Sequence, residues 1–71
     1  MKTINTCGKL PYSPLIPAIK ALCDANKGDK LEIIMDDATA FSDLKEYLSE
    51  VKIGFREIYD GEQMTVQFTV K

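Results

Sequence analysis

The chain has no histidine, and this absence excludes more chemistry than any other feature of its 71 residues. Without imidazole there is no Ser-His or Cys-His nucleophile, no histidine general base and no histidine-ligated metal. Cysteine is scarce. Cys7 and Cys23 are too few for a structural zinc site without carboxylate help, and they are not the dense framework of a small secreted domain. Basic residues are outnumbered, with 9 Lys and Arg against 11 Asp and Glu, for a net charge of −2. A nucleic-acid binder needs concentrated positive surface to neutralise phosphates, so nucleic acid is not an expected partner. The stretch MKTINTCGKLPYSP has no apolar run of signal-peptide length, and nowhere does one reach transmembrane length. The expectation is a soluble, cytoplasmic protein with reduced thiols and no membrane attachment.

What is present is an ordinary globular balance, 45% hydrophobic and 28% charged, in a length that allows one small domain over residues 1–71. Such a chain buries only about 60% of its unfolded surface, so every apolar position has to contribute. Over residues 64–70, Met64, Val66, Phe68 and Val70 alternate with Thr65, Gln67 and Thr69, which predicts a strand with one dry and one wet face. Residues 53–59 supply β-formers in Phe55, Ile58 and Tyr59, and Asp60-Gly61 between the two runs predicts a hairpin. Phe41, Leu44, Leu48 and Val51 recur at helical spacing, with Thr39 as the expected N-cap. Residues 31–35 read as a buried strand after the turn Lys27-Gly28-Asp29. Leu15, Ile19 and Leu22 mark another helix, which Gly28 is placed to cap. Residues 2–6, around Ile4, suit an edge strand. The order is β-α-β-α-β-β. It predicts a two-layer α/β sandwich in which a four-stranded mixed sheet, with a parallel pair and a closing hairpin, carries both helices on one face.

The informative segment is Asn5-Thr6-Cys7-Gly8-Lys9-Leu10-Pro11-Tyr12-Ser13-Pro14-Leu15. Gly8 ends the first strand, and Ser13-Pro14 opens the helix in the manner of an N-cap and first turn. Here the chain resembles the TusA/SirA/YedF family of small sulfur-carrier proteins. That family's signature, Asp-x-x-Gly-x-x-Cys-Pro-x-Pro-Leu, runs from the first strand into the first helix. Aligned on Gly8, Asn5 stands at the Asp, Pro14 at the second Pro and Leu15 at the Leu. The Lys27-Gly28-Asp29 turn, the run LEIIMDDATAF and the Asp60-Gly61 hairpin also resemble the family, so the likeness spans nearly the whole chain. It implies a βαβαββ sandwich similar to the C-terminal domain of translation initiation factor 3. It also implies protein partners in a sulfur-relay or redox pathway, and it calls for no cofactor.

The chain departs from the family at the residue that does the chemistry. Pro11 stands where the family has its persulfide-bearing Cys, and Tyr12 where it has the next Pro. A Cys at a helix N-terminus meets unpaired N–H groups and the positive end of the dipole, which favour the reactive thiolate. Pro11 has neither sulfur nor an amide proton. Cys7, four residues earlier, is the candidate for a relocated persulfide; strand-end geometry lacks the helix-terminus field that lowers a thiol pKa, so the reading as a small, half-buried side chain outweighs it. Cys23, beside Leu22, reads as core or flank, and a Cys7–Cys23 disulfide is not expected in a reducing setting.

The other residues with chemical potential have simpler readings. Ser13 has no base to activate it and its cap role explains it. Pro17 falls beyond the first residues of its helix, where Pro removes a hydrogen bond. Asp36-Asp37 suit a helix dipole better than a metal, and no metal site is expected. Lys20, Lys27, Lys30, Lys45, Lys52 and Arg56 are scattered among acids as solvated surface.

Two functions therefore compete, and whether the protein is an enzyme stays open between them. One is a non-catalytic family member that binds a protein partner through loop 8–14, with Gly8, Pro11, Tyr12, Ser13 and Pro14 as contact residues. On this reading the first-helix N-terminus is free to receive an anionic group of that partner. The other is an active sulfur carrier or sulfurtransferase that uses Cys7. An RNA-binding module, suggested by the initiation-factor-like fold alone, is opposed by the acidic charge.

Overall fold

The computed structural model describes residues 1–8 and 11–71. Its elements are β1 (Lys2–Asn5), α1 (Leu15–Asp24), β2 (Lys30–Met35), α2 (Ala38–Glu50), β3 (Phe55–Asp60) and β4 (Gln63–Thr69), the order expected from the sequence. The sheet order is β1-β2-β4-β3. β1 runs parallel to β2, with Ile4 opposite Ile33, because α1 carries the chain back across the sheet. β4 lies antiparallel between β2 and β3, and its register sets Phe68 against Leu31 and Val66 against Ile33.

That register puts the large apolar side chains of the central strands, Ile34 excepted, on one face. Leu31, Ile33, Met35, Val66 and Phe68 are buried there against Ala40, Phe41, Leu44 and Leu48 of α2 and Ala18 of α1. Each fully buried side chain of this size contributes about 1.5–3 kcal/mol. α1 is the shallower helix: Leu15, Ile19 and Leu22 are only partly covered and Ile16 faces solvent. The other face carries the polar side chains, with Ile34 and Ile58 on either side of Thr65. Thr3 Oγ1 donates to Glu32 Oε1 at 3.2 Å and Gln67 Nε2 donates to Glu32 Oε2 at 2.6 Å. The architecture is the two-layer α/β sandwich that the alternation of β4 requires.

Several boundaries differ from the sequence reading. α2 begins earlier than Thr39 would set it. Asp37, in extended backbone, accepts the Ala40 N–H at 3.0 Å and is the N-cap, a role for which Asp ranks above Thr. Gly28 does not cap α1, which ends at Asp24 with Ala25 extended. Instead its positive φ of 93° shapes the turn into β2, where its N–H donates to the Val70 carbonyl at 2.7 Å. Ile53 is buried but lies before β3, since it completes the end of α2. Its N–H bonds the Leu48 carbonyl at 2.8 Å and the Lys52 N–H bonds that of Ser49 at 3.1 Å. These two bonds make a Schellman motif with Lys52, at φ 60°, in the left-handed position. The hairpin loop is Gly61-Glu62, one residue later than expected, because Asp60 still pairs with Gln63.

Candidate functional site

β1 and β2 are parallel neighbours, so their carboxyl ends meet at one edge of the molecule, and the segment leading to α1 leaves from there. Thr6 anchors its start: its N–H donates to the Ile34 carbonyl at 2.9 Å and its Oγ1 donates to the same oxygen at 2.7 Å. Asn5 Oδ1 accepts the Cys7 N–H at 2.9 Å, a side-chain turn that bends the chain off the sheet. Gly8, at φ 98°, then presents its N–H to Asp36 Oδ2 at 3.0 Å. A Gly is required at that φ, which other residues adopt only with strain. Asp36, immediately after β2, thus ties the two strand ends together. Local spacing gives no hint of this bond, which spans 28 residues; only the parallel pairing of β1 with β2 brings the partners together.

Asp36 also bears on Cys7. The thiol is half-buried, and burial, followed by the adjacent Asp36 carboxylate, pushes its pKa above the ordinary value. Both causes disfavour the thiolate, the opposite of what a persulfide-forming cysteine needs. Cys23 is an exposed free thiol on the flank of α1, outside the core.

The helix opening is equally constrained. Pro14 already has helical dihedrals, φ −57° and ψ −19°, and Ser13 precedes it as a cap, with its Oγ accepting the Leu15 N–H at 3.2 Å. The Ser13 carbonyl accepts the Ile16 N–H at 3.0 Å. Pro17 explains that tight bond: it has no N–H to donate to the Ser13 carbonyl, so Ile16 does so one residue early. Of the four positions that open the helix, two are prolines without an amide proton and two are already bonded to Ser13. The sequence expectation that this terminus stands ready for an anionic group is therefore corrected, because its donors are taken. Around it, Pro11, Tyr12 and Ser13 are exposed and Pro14 half-buried, with Tyr12 at 49%. Lys9 and Leu10, within the same loop, lie outside the described residues.

A side-chain cluster that sequence reasoning missed lies across the molecule. Lys45 Nζ and the Tyr59 hydroxyl both donate to Glu57 Oε1, fastening α2 to edge strand β3. Tyr59 packs edge-on to Phe41, and Lys45 lies 5.0 Å from the centre of the Phe41 ring. The Tyr59 hydrogen bond and then Lys45 lower the Glu57 pKa, and Glu57 in turn raises those of Lys45 and Tyr59. Its role is to hold the helix on the sheet. Among the described residues, no helix is long and apolar enough to cross a membrane.

Comparison with known proteins places this architecture. The structure is similar to that of a SirA-like protein from Desulfitobacterium hafniense, with a TM-score of 0.76 at 21% identity, over 97% of this chain and 96% of that one. At that identity the likeness speaks for the fold. No curated protein sequence matches the chain. The family described as sulfurtransferase TusA, however, matches residues 2–71. The chain thus belongs to the sulfurtransferase TusA family.

Proposed function

We propose that this protein serves a sulfur relay as a partner-binding member of its family that does not itself carry sulfur, and that it meets its partner through loop 8–14 and the start of α1. The observation that supports this most directly is the helix opening. Pro11 supplies no sulfur, and the Leu15 and Ile16 amides that would steady a thiolate there are bonded to Ser13. Cys7 is a poor replacement, since burial and Asp36 keep it protonated and only the thiolate attacks a persulfide.

What remains in the loop suits contact. Tyr12 offers an exposed ring with a hydroxyl, the side-chain type enriched at interfaces. Pro11 and Pro14 fix their own φ, and the Thr6, Asn5 and Asp36 hydrogen bonds hold the entry to the loop, so ordering it on binding costs little.

The test is intact-mass spectrometry after incubation with a cysteine desulfurase and free cysteine, beside a family member that has the signature cysteine. The expected result is no added sulfur on this chain while the control loads. A gain of one sulfur that disappears in Cys7→Ser would install the relocated carrier instead. Tyr12→Ala is expected to weaken capture of the partner, and unchanged capture would remove the loop from the interface.

A further inference from the structure

Between α1 and α2 runs an open groove of about 370 Å³, lined by Leu15, Ile19 and Tyr47 and by the carboxylates Asp43, Glu46 and Glu50. At about 100° per residue, positions 43, 46, 47 and 50 fall on one side of α2, with Lys45 opposite. The acids bring folding no benefit. Glu46 is three residues from Asp43 and four from Glu50, spacings at which like charges repel on a helix surface. Glu50 is the last residue of α2, where the helix dipole favours a cation, and the final turn contains no base. Among the described residues the one ion pair is Lys45–Glu57, so none of the three rim carboxylates is ion-paired to any of them.

We infer that this groove docks a basic amphipathic segment of a protein partner. Its apolar side chains would lie on Leu15, Ile19 and Tyr47, and its Lys or Arg residues against Asp43, Glu46 and Glu50. Charge complementarity selects this occupant. A second copy of the chain would bring one acidic rim against another, and a phosphate backbone or an anionic lipid surface meets the same repulsion. The inference goes beyond the loop reading and does not depend on it.

The probe is a fluorescein-labelled peptide of Leu and Lys patterned as an amphipathic helix, with a Leu and Glu counterpart, titrated into the full chain by anisotropy and amide chemical shifts. Saturable binding of the Lys peptide is expected, with shifts centred on Ile19, Glu46, Tyr47 and Glu50 and no binding of the Glu peptide. The triple variant Asp43→Asn, Glu46→Gln, Glu50→Gln should weaken affinity about tenfold. A charge-matched control at exposed positions elsewhere, Asp24→Asn, Asp60→Asn, Glu62→Gln, should not. Equal loss in both triple variants would mean only net charge is sensed and would overturn the site. Shifts confined to loop 8–14 would overturn it while leaving the loop reading standing. A dimer in sedimentation that Glu46→Lys dissociates would assign the groove to a second copy and likewise overturn the inference.

Discussion

Restoring the family's cysteine gives the sharpest test of how the helix opening is built. In a Cys7→Ser, Cys23→Ser background, Pro11→Cys puts a single thiol where the signature places its sulfur. If thiolate stabilisation came from the helix terminus as such, this thiol would be strongly acidic. The structure argues otherwise, because Pro14 and Pro17 lack amide protons and Ser13 takes those of Leu15 and Ile16. The new thiol should titrate near the free value of about 8.5. Adding Ser13→Ala releases the Leu15 N–H. A hydrogen bond to a charged acceptor contributes about 1.5–3 kcal/mol, and the lower end applies at this exposed site. At 1.36 kcal/mol per unit, the thiol pKa should fall by about one unit. At neutral pH the thiolate fraction then rises about eightfold; the weaker nucleophilicity of a more acidic thiol reduces this to an alkylation rate about threefold faster. The assay is iodoacetamide alkylation against pH, read by intact mass, with circular dichroism confirming the fold. A pKa well below 7 for Pro11→Cys alone would refute the account of occupied donors. No shift on adding Ser13→Ala would refute the role given to the Leu15 amide.

Two further predictions concern how the sandwich is held together. Lys52→Gly relieves a left-handed backbone at φ 60°, and after the greater freedom of glycine in the unfolded chain is subtracted, the net gain should be about 0.5–1 kcal/mol, a rise of several degrees in Tm; a lower Tm would mean that the Lys52 side chain holds the turn. Glu57→Gln should lower Tm slightly at neutral pH. The Glu57 pKa is lowered in the folded state, so its contribution exists above the unfolded carboxyl value and disappears as pH falls through the folded one. The raised Lys45 and Tyr59 values remove it again as pH climbs past about 10, so a Tm difference that persists in acid would contradict the assignment.

The parts of the fold legible in the sequence are those where one physical demand acts alone. β4 alternates because a central strand with one dry face has no other solution, and Phe41, Leu44 and Leu48 mark α2 because they share one stripe against that face. Where two local signals compete, the sequence misleads. Asp37 and Thr39 are both good caps, and Gly28 is a good helix terminator that the Val70 carbonyl claims for a different turn. Lys52 carries no signal at all, since nothing in a lysine announces a left-handed residue. The site divides similarly. The Pro11 substitution and the Ser13-Pro14 cap are visible by alignment to a motif, whereas the bond from Gly8 to Asp36, and the placement of that carboxylate beside Cys7, exist only once β1 and β2 are paired.

That pairing bears on how loop 8–14 and the core depend on each other. The core is closed by α2 against the central strands, and α1 contributes only Ala18 to its fully buried set. Pro11, Tyr12 and Ser13 are exposed and add nothing to that set, so survival of the sandwich does not by itself speak for a working loop. The hydrogen bonds of Asn5 and Asp36 are a separate matter, because they bury no apolar surface and satisfy only the backbone that leaves β1. Asp36 moreover raises the pKa of the one thiol within its reach. A site meant to ionise Cys7 would place a cation there, whereas a site meant to hold the loop entry still gains from a charged acceptor on the Gly8 amide. The electrostatics at the ends of β1 and β2 thus hold the loop entry in place and disfavour the Cys7 thiolate.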